Sequence, residues 1–155
     1  MLDPELVQLA EELRSIIAAN PPDLALQVDA RIARIVPKQD PSSIGFLLPL
    51  LSDSASSDDG MFSIVHACEA FSDDVYVSAV VPMLPRLSSS APRWSSIVFM
   101  RMLNNPETRH HVVRHLRIGA RESRDAVRAL CLAINAQHPE FRERTAAVLV
   151  ATETT

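Results

Sequence analysis

Two histidines four residues apart, His111 and His115, are the clearest metal-type spacing in this sequence, with His110 beside them. On a helix that interval stacks two imidazoles on one face, where both could hold a divalent ion. No carboxylate or thiol stands close to them in sequence, and Arg114 and Arg117 would repel a cation. We therefore expect no metal site and no cofactor. Two cysteines, Cys68 and Cys131, each sit in an apolar run and are expected as buried free thiols. A second pairing of chemical interest, His66 with Glu69, could act as acid and base on one helical flank. It lacks a nucleophile and an orienting group, and there is no phosphate-loop, dinucleotide or nucleophile-elbow pattern anywhere. No catalytic residue is assigned, and we expect a protein that is not an enzyme.

The elements that must position these residues are helical. The chain has 155 residues, enough for one domain with a real core, and we expect a single domain over 1–155 with a frayed end at 151–155. Only 3 glycines and 5% aromatic residues point to a core of Leu, Ile, Val and Ala, and away from a turn-rich β protein. Eleven prolines would be ruinous inside helices but are tolerated in a first turn, and most fall at such positions. Asp3-Pro4-Glu5 opens a helix over 4–19, with Leu6, Leu9, Leu13, Ile16 and Ile17 on one face. A second helix is expected to about residue 36, with Leu24, Val28, Ile32 and Ile35 at helical spacing, and a short third over 42–51. The stretch 52–59 (SDSASSDD) reads as a polar loop, followed by a fourth helix over 60–71. Ser72-Asp73-Asp74 is expected to cap a fifth helix over 73–87, which Pro82 and Pro85 must kink or end early. Residues 75–81 are the best strand candidate, but their flanks make them helical. Further helices are expected to about 104, from Asn105-Pro106-Glu107 to a left-handed stop at Gly119, over 121–137, and from His138-Pro139-Glu140 to about 150. The fold class is all-α: eight or nine short helices packed as antiparallel α-hairpins, a HEAT-like superhelix or a compact helical bundle.

The longest apolar stretch, 44–51, is broken by Pro49 and far too short for a span. The opening Met1-Leu2-Asp3-Pro4-Glu5 is acidic and helical in pattern, not a secretory leader. A reducing cytoplasm and no membrane are expected.

Charge is divided along the chain. Residues 1–77 carry 13 acids against 4 bases, and residues 78–155 carry 6 acids against 11 bases. The acidic half of one copy could meet the basic half of another.

The middle of the chain carries a family resemblance. Met61-Phe62-Ser63-Ile64-Val65-His66-Ala67-Cys68-Glu69, Tyr76-Val77, Leu84-Pro85, Ala91-Pro92-Arg93-Trp94 and Arg101-Met102-Leu103-Asn104 stand in a pattern that resembles the immunity protein 30 family. The likeness covers about residues 58–118. It implies a bacterial antidote, encoded beside a polymorphic or contact-dependent toxin, that neutralises its partner by binding.

Helical wheels sort the remaining residues. Met61, Ile64, Val65, Cys68 and Phe71 form a core face, with Phe62, His66 and Glu69 along its flank. The helix holding Trp94 and Arg101 is apolar on all sides, so Arg101 needs a partner, and Glu69 is the natural one. Glu69, Trp94 and Arg101 are thus expected as a structural network beside His66, with a partner-binding role for His66 and Glu69 as the alternative. Asp53, Asp58, Asp59, Asp73 and Asp74 cluster in sequence around the fourth helix. They read either as caps and solvated acids or as a binding face. If the toxin is a nuclease with a basic cleft, such a face would mimic phosphate and steer association. Arg109, Arg114, Arg117, Arg121, Arg124 and Arg128 form a basic third with no interleaved aromatics, interrupted by Glu122 and Asp125. That is the pattern of a salt-bridged surface, and no nucleic-acid partner is expected. The rival functions are a helical adaptor for another protein and, further off, a small RNA-binding protein.

Overall fold

The computed structural model describes residues 1–153. These are all-α, with no strand among the described residues; Thr154 and Thr155 lie outside them. They divide into two compact units, Met1–Ser72 and the described residues from Asp73 onward.

The first unit holds α1 (Pro4–Ala19), α2 (Leu24–Ile35), α3 (Ser43–Leu47) and α4 (Asp58–Glu69). Helix α1 starts as the sequence predicts: the Asp3 carboxylate accepts the Glu5 backbone N–H at 2.9 Å, and Pro4 follows it. It stops where Asn20 turns left-handed at φ 51°. Leu6, Leu9 and Leu13 are buried, while Ile16 and Ile17 are only half-buried. Helix α2 packs on both α1 and α4, and its Leu24, Val28, Ile32 and Ile35 are all buried. Gly60 makes the α2–α4 approach close, because an added Cβ would stand 3.4 Å from the Ala25 Cα.

The second unit holds α5 (Asp73–Val80), α6 (Leu84–Ser90), α7 (Pro92–Asn104), α8 (Pro106–Ile118), α9 (Arg121–Gln137) and α10 (Arg142–Thr152). Helix α5 packs on α8, α6 on α7 and α9, and α10 on α8 and α9. From Trp94 to Leu103 no residue of α7 is exposed, as its apolar circumference predicts. Asn105 opens α8 by accepting the N–H groups of Glu107 and Thr108 at 3.0 and 3.3 Å.

Proline sets where helices tighten. Each of the four 3-10 turns among the described residues, Val36–Lys38, Leu48–Leu50, Val81–Met83 and Pro139–Phe141, contains one. A proline donates no backbone N–H to the carbonyl four residues back, and the tighter turn spares that missing bond. The helix predicted over 73–87 is accordingly broken at Pro82 into α5 and α6.

Three local expectations are corrected. Helix α4 starts at Asp58 rather than Gly60, since Ser57 caps it by accepting the Gly60 N–H at 3.3 Å. Gly119 is extended (φ −84°, ψ 178°), not left-handed. Space is what it supplies: a Cβ there would lie 2.8 Å from the His115 carbonyl oxygen. The expected fray at 151 does not start there, because α10 runs to Thr152 and Ala151 is buried.

Candidate partner-binding face

Helix α4 sets the geometry of the first unit's most featured surface. With Ser57 capping it, Asp58 and Asp59 fall in the first turn, where carboxylates complement the helix dipole. Both are exposed. One turn on, the Ser63 hydroxyl donates to the Asp29 carboxylate of α2, tying the two helices at their rim. A further turn on, exposed His66 stacks on Phe62 with ring centroids 6.1 Å apart.

Between these helices lie two adjoining hollows. One, about 360 Å³, has Asp29, Ser63 and His66 at its edge and Ile32 and Val36 within. The other, about 320 Å³, is bounded by Ile35, Gln39, Ser43 and Phe71. Both share Val36, Ala67 and Ala70. The result is an apolar floor, on which Val36 is 44% exposed, with an acidic and imidazole rim. Such a surface suits a protein contact better than catalysis: it offers desolvation at the centre and charge at the edge. Cys68 does not contribute a nucleophile, since burial, helped by the Glu69 charge, pushes its thiol up to about 12. Burial does the same to Cys131, also to about 12.

The sequence-predicted residues separate between the units. Asp53 lies exposed in the loop before α4; Asp58, Asp59 and His66 lie on α4, and half-buried Glu69 ends it. Asp73 and Asp74 belong to the second unit, in the first turn of α5. The Asp73 carboxylate accepts the Thr108 hydroxyl at 2.6 Å, which ties α5 to α8. Asp74 stands beside His111 and His115. Trp94 is fully buried on α7, with the Arg93 guanidinium 5.3 Å from its ring centroid, and Arg101 is half-buried.

The profile of the family described as immunity protein 30 matches residues 22–112. The chain belongs to the immunity protein 30 family. The match begins two residues before α2 and ends inside α8, so it reaches further toward the N-terminus than the motifs near residues 58–118. Neither the curated proteins nor the solved structures give a significant match.

The family segment contains the whole α2–α4 face and all five acids, and it ends before Arg114. Most of the arginines beyond it are engaged locally. Arg124 donates to the Gly119 carbonyl at 2.6 Å, closing the end of α8; Arg121 lies 3.8 Å from Asp125, and Arg128 3.8 Å from Glu153. Arg109, inside the segment, donates to the Leu103 carbonyl at 3.3 Å. Of the two interrupting acids, Asp125 stands near an arginine in this way. No helix among the described residues is long and apolar enough to cross a membrane.

Sequence reasoning missed Asp29 and Ser63 at the rim. The signal was present in part: Asp29 follows Val28 on the polar side of α2. Only the α2–α4 packing makes it a neighbour of Ser63.

Proposed function

We propose that this immunity-family protein neutralises a cognate toxin by stoichiometric binding without turnover, and that the α2–α4 face is the surface that meets the toxin. The family match over residues 22–112 carries the first part. The apolar floor with its acidic rim supports the second, because the first unit has 11 acids against 4 bases. A partner with a basic cleft, such as a nuclease, would be drawn to that excess, and the two would meet in the cytoplasm where such a toxin acts. His66 serves as a rim contact. Glu69, at the end of α4, has a supporting role within the first unit, and Trp94 and Arg101 have structural roles within the second.

The test uses the toxin encoded beside the gene. Asp53, Asp58 and Asp59 changed together to Lys should slow association by about tenfold or more at low salt, with a smaller deficit at high salt. The comparison protein carries Arg117, Arg121 and Arg124 changed to Glu, and it should associate at the normal rate. An unchanged rate for the acid-reversed protein, with loss in the arginine-reversed one, would move the surface to the second unit. Capture of bulk RNA with a steep salt dependence would point to a nucleic-acid function instead.

A further inference from the structure

The fold supplies the third ligand that the His111–His115 spacing lacks in sequence. We propose that Asp74, His111 and His115 form a binding site for one divalent transition-metal ion of the zinc type. Helix α8 puts both imidazoles on one face, and α5 packs against that helix. The Asp73–Thr108 hydrogen bond fixes the first turn of α5, so Asp74 is set opposite the histidines.

The geometry approaches one face of a tetrahedron. Asp74 Oδ1 lies 3.3 Å from His115 Nε2 and 3.9 Å from His111 Nδ1. The three ligand atoms all fall within 4.8 Å of one another. Zinc bound at its ordinary distance to nitrogen and oxygen needs corners about 3.3–3.4 Å apart. Asp74 and His115 already stand at that spacing, and His111 must close on Asp74 by about half an ångström, with the imidazoles adjusting toward each other as the ion binds.

A second observation points to a ligand rather than to a plain Asp–His contact. His111 Nδ1 is buried, and it has no hydrogen-bond partner among the described residues. Its 3.9 Å separation from Asp74 is too long for a hydrogen bond, and the nearer His115 already uses that oxygen. One ion between the three atoms would satisfy all of them at once. The site lies toward the C-terminal end of α8, where the helix dipole favours positive charge. Arg114 and Arg117, whose charges seemed to forbid a cation, are both exposed to water, which screens them. Two imidazoles with one carboxylate select a borderline ion over Mg²⁺ or Ca²⁺, which prefer all-oxygen shells. Three protein ligands leave a fourth position for water or an outside ligand.

The experiment is calorimetric titration of the full chain, freed of metal by chelator, with zinc chloride. One Zn²⁺ per chain should bind and raise the unfolding midpoint, while Mg²⁺ should do neither. His111→Ala and His115→Gln should each weaken binding by about tenfold or more, Asp74→Asn should weaken it too, and His110→Ala and His138→Ala should leave it unchanged. Circular dichroism of each variant without metal checks that the helices persist. Cobalt loading gives a second readout: d–d bands without a thiolate charge-transfer band, because both thiols are buried and protonated. Absence of zinc binding at micromolar concentration, or binding that His111→Ala and His115→Gln leave intact, overturns the site. Toxin binding does not enter any of these measurements.

Discussion

The first unit carries 11 acids against 4 bases, and the second carries 8 against 11. The difference extends to how the charges are used. In the first unit, Lys38 bridges Asp3 and Glu5 at 2.8 Å each and Arg34 meets Glu5 at 2.9 Å, while Asp53, Asp58 and Asp59 are exposed before and at the start of α4. In the second unit Arg109 and Arg124 donate to backbone carbonyls, Arg121 and Arg128 stand near acids, and the acids at the start of α5 face a hydroxyl and two imidazoles. Opposite net charges give the two units opposite preferences for a charged partner, and the acid-reversed and arginine-reversed proteins separate the two.

The largest test of this division concerns the cores. We keep one domain as our proposal, so the two units should unfold in one transition. Trp94 in the second unit and Ile64 in the first are both fully buried. Trp94→Ala should cost about 3–5 kcal/mol and Ile64→Ala about 2–5 kcal/mol, each shifting the same single denaturation curve. Two separated transitions, with each substitution moving only its own, would show that the units are independent domains.

Glycine provides a sharper contrast of sign. Gly119→Ala brings a Cβ to 2.8 Å from the His115 carbonyl oxygen and should destabilise by about 1–3 kcal/mol. Gly45 lies inside α3 with nothing within 4 Å of such a Cβ, so Gly45→Ala should be neutral or stabilise by up to about 1 kcal/mol. Urea denaturation of both variants checks the pair. Equal effects would mean that crowding at Gly119 is relieved by movement of the α8 end.

The smallest effect is electrostatic and confined to the first unit. The Lys38 ammonium, hydrogen-bonded to both, holds the Asp3 and Glu5 carboxyls below their ordinary 3.8 and 4.5, and they in turn raise Lys38 above 10.5. Depressed carboxylates stabilise the fold at neutral pH, and that contribution fades as pH falls through their folded values. The raised lysine contributes below its unfolded value and ceases to as pH rises through its folded one. Lys38→Met should therefore lower the melting temperature slightly on a plateau from about pH 5 to about pH 10, with the difference closing on both sides. A difference that does not change with pH would assign the effect to packing of the lysine stem.

Helix identity, most helix starts and the family were legible in the sequence, because they rest on local chemistry. Asp3 and Asn105 cap from adjacent positions, prolines fix their own φ, and apolar residues recur at the helical period whatever they pack against. Gly119 shows the limit of that rule: the residue type was right for a helix end, but its conformation answered to a neighbouring carbonyl. Asp73 and Asp74, close to α4 in sequence, begin α5, and only the fold shows that α5 packs on α8. Only the packing of α2 on α4 makes Asp29 and Ser63 neighbours, and only that of α5 on α8 brings Asp74 to His111 and His115, 37 and 41 positions along the chain. Periodicity states which face of a helix is apolar and leaves open which other helix it meets. That choice is made by the fit of whole surfaces, and so it belongs to the tertiary structure.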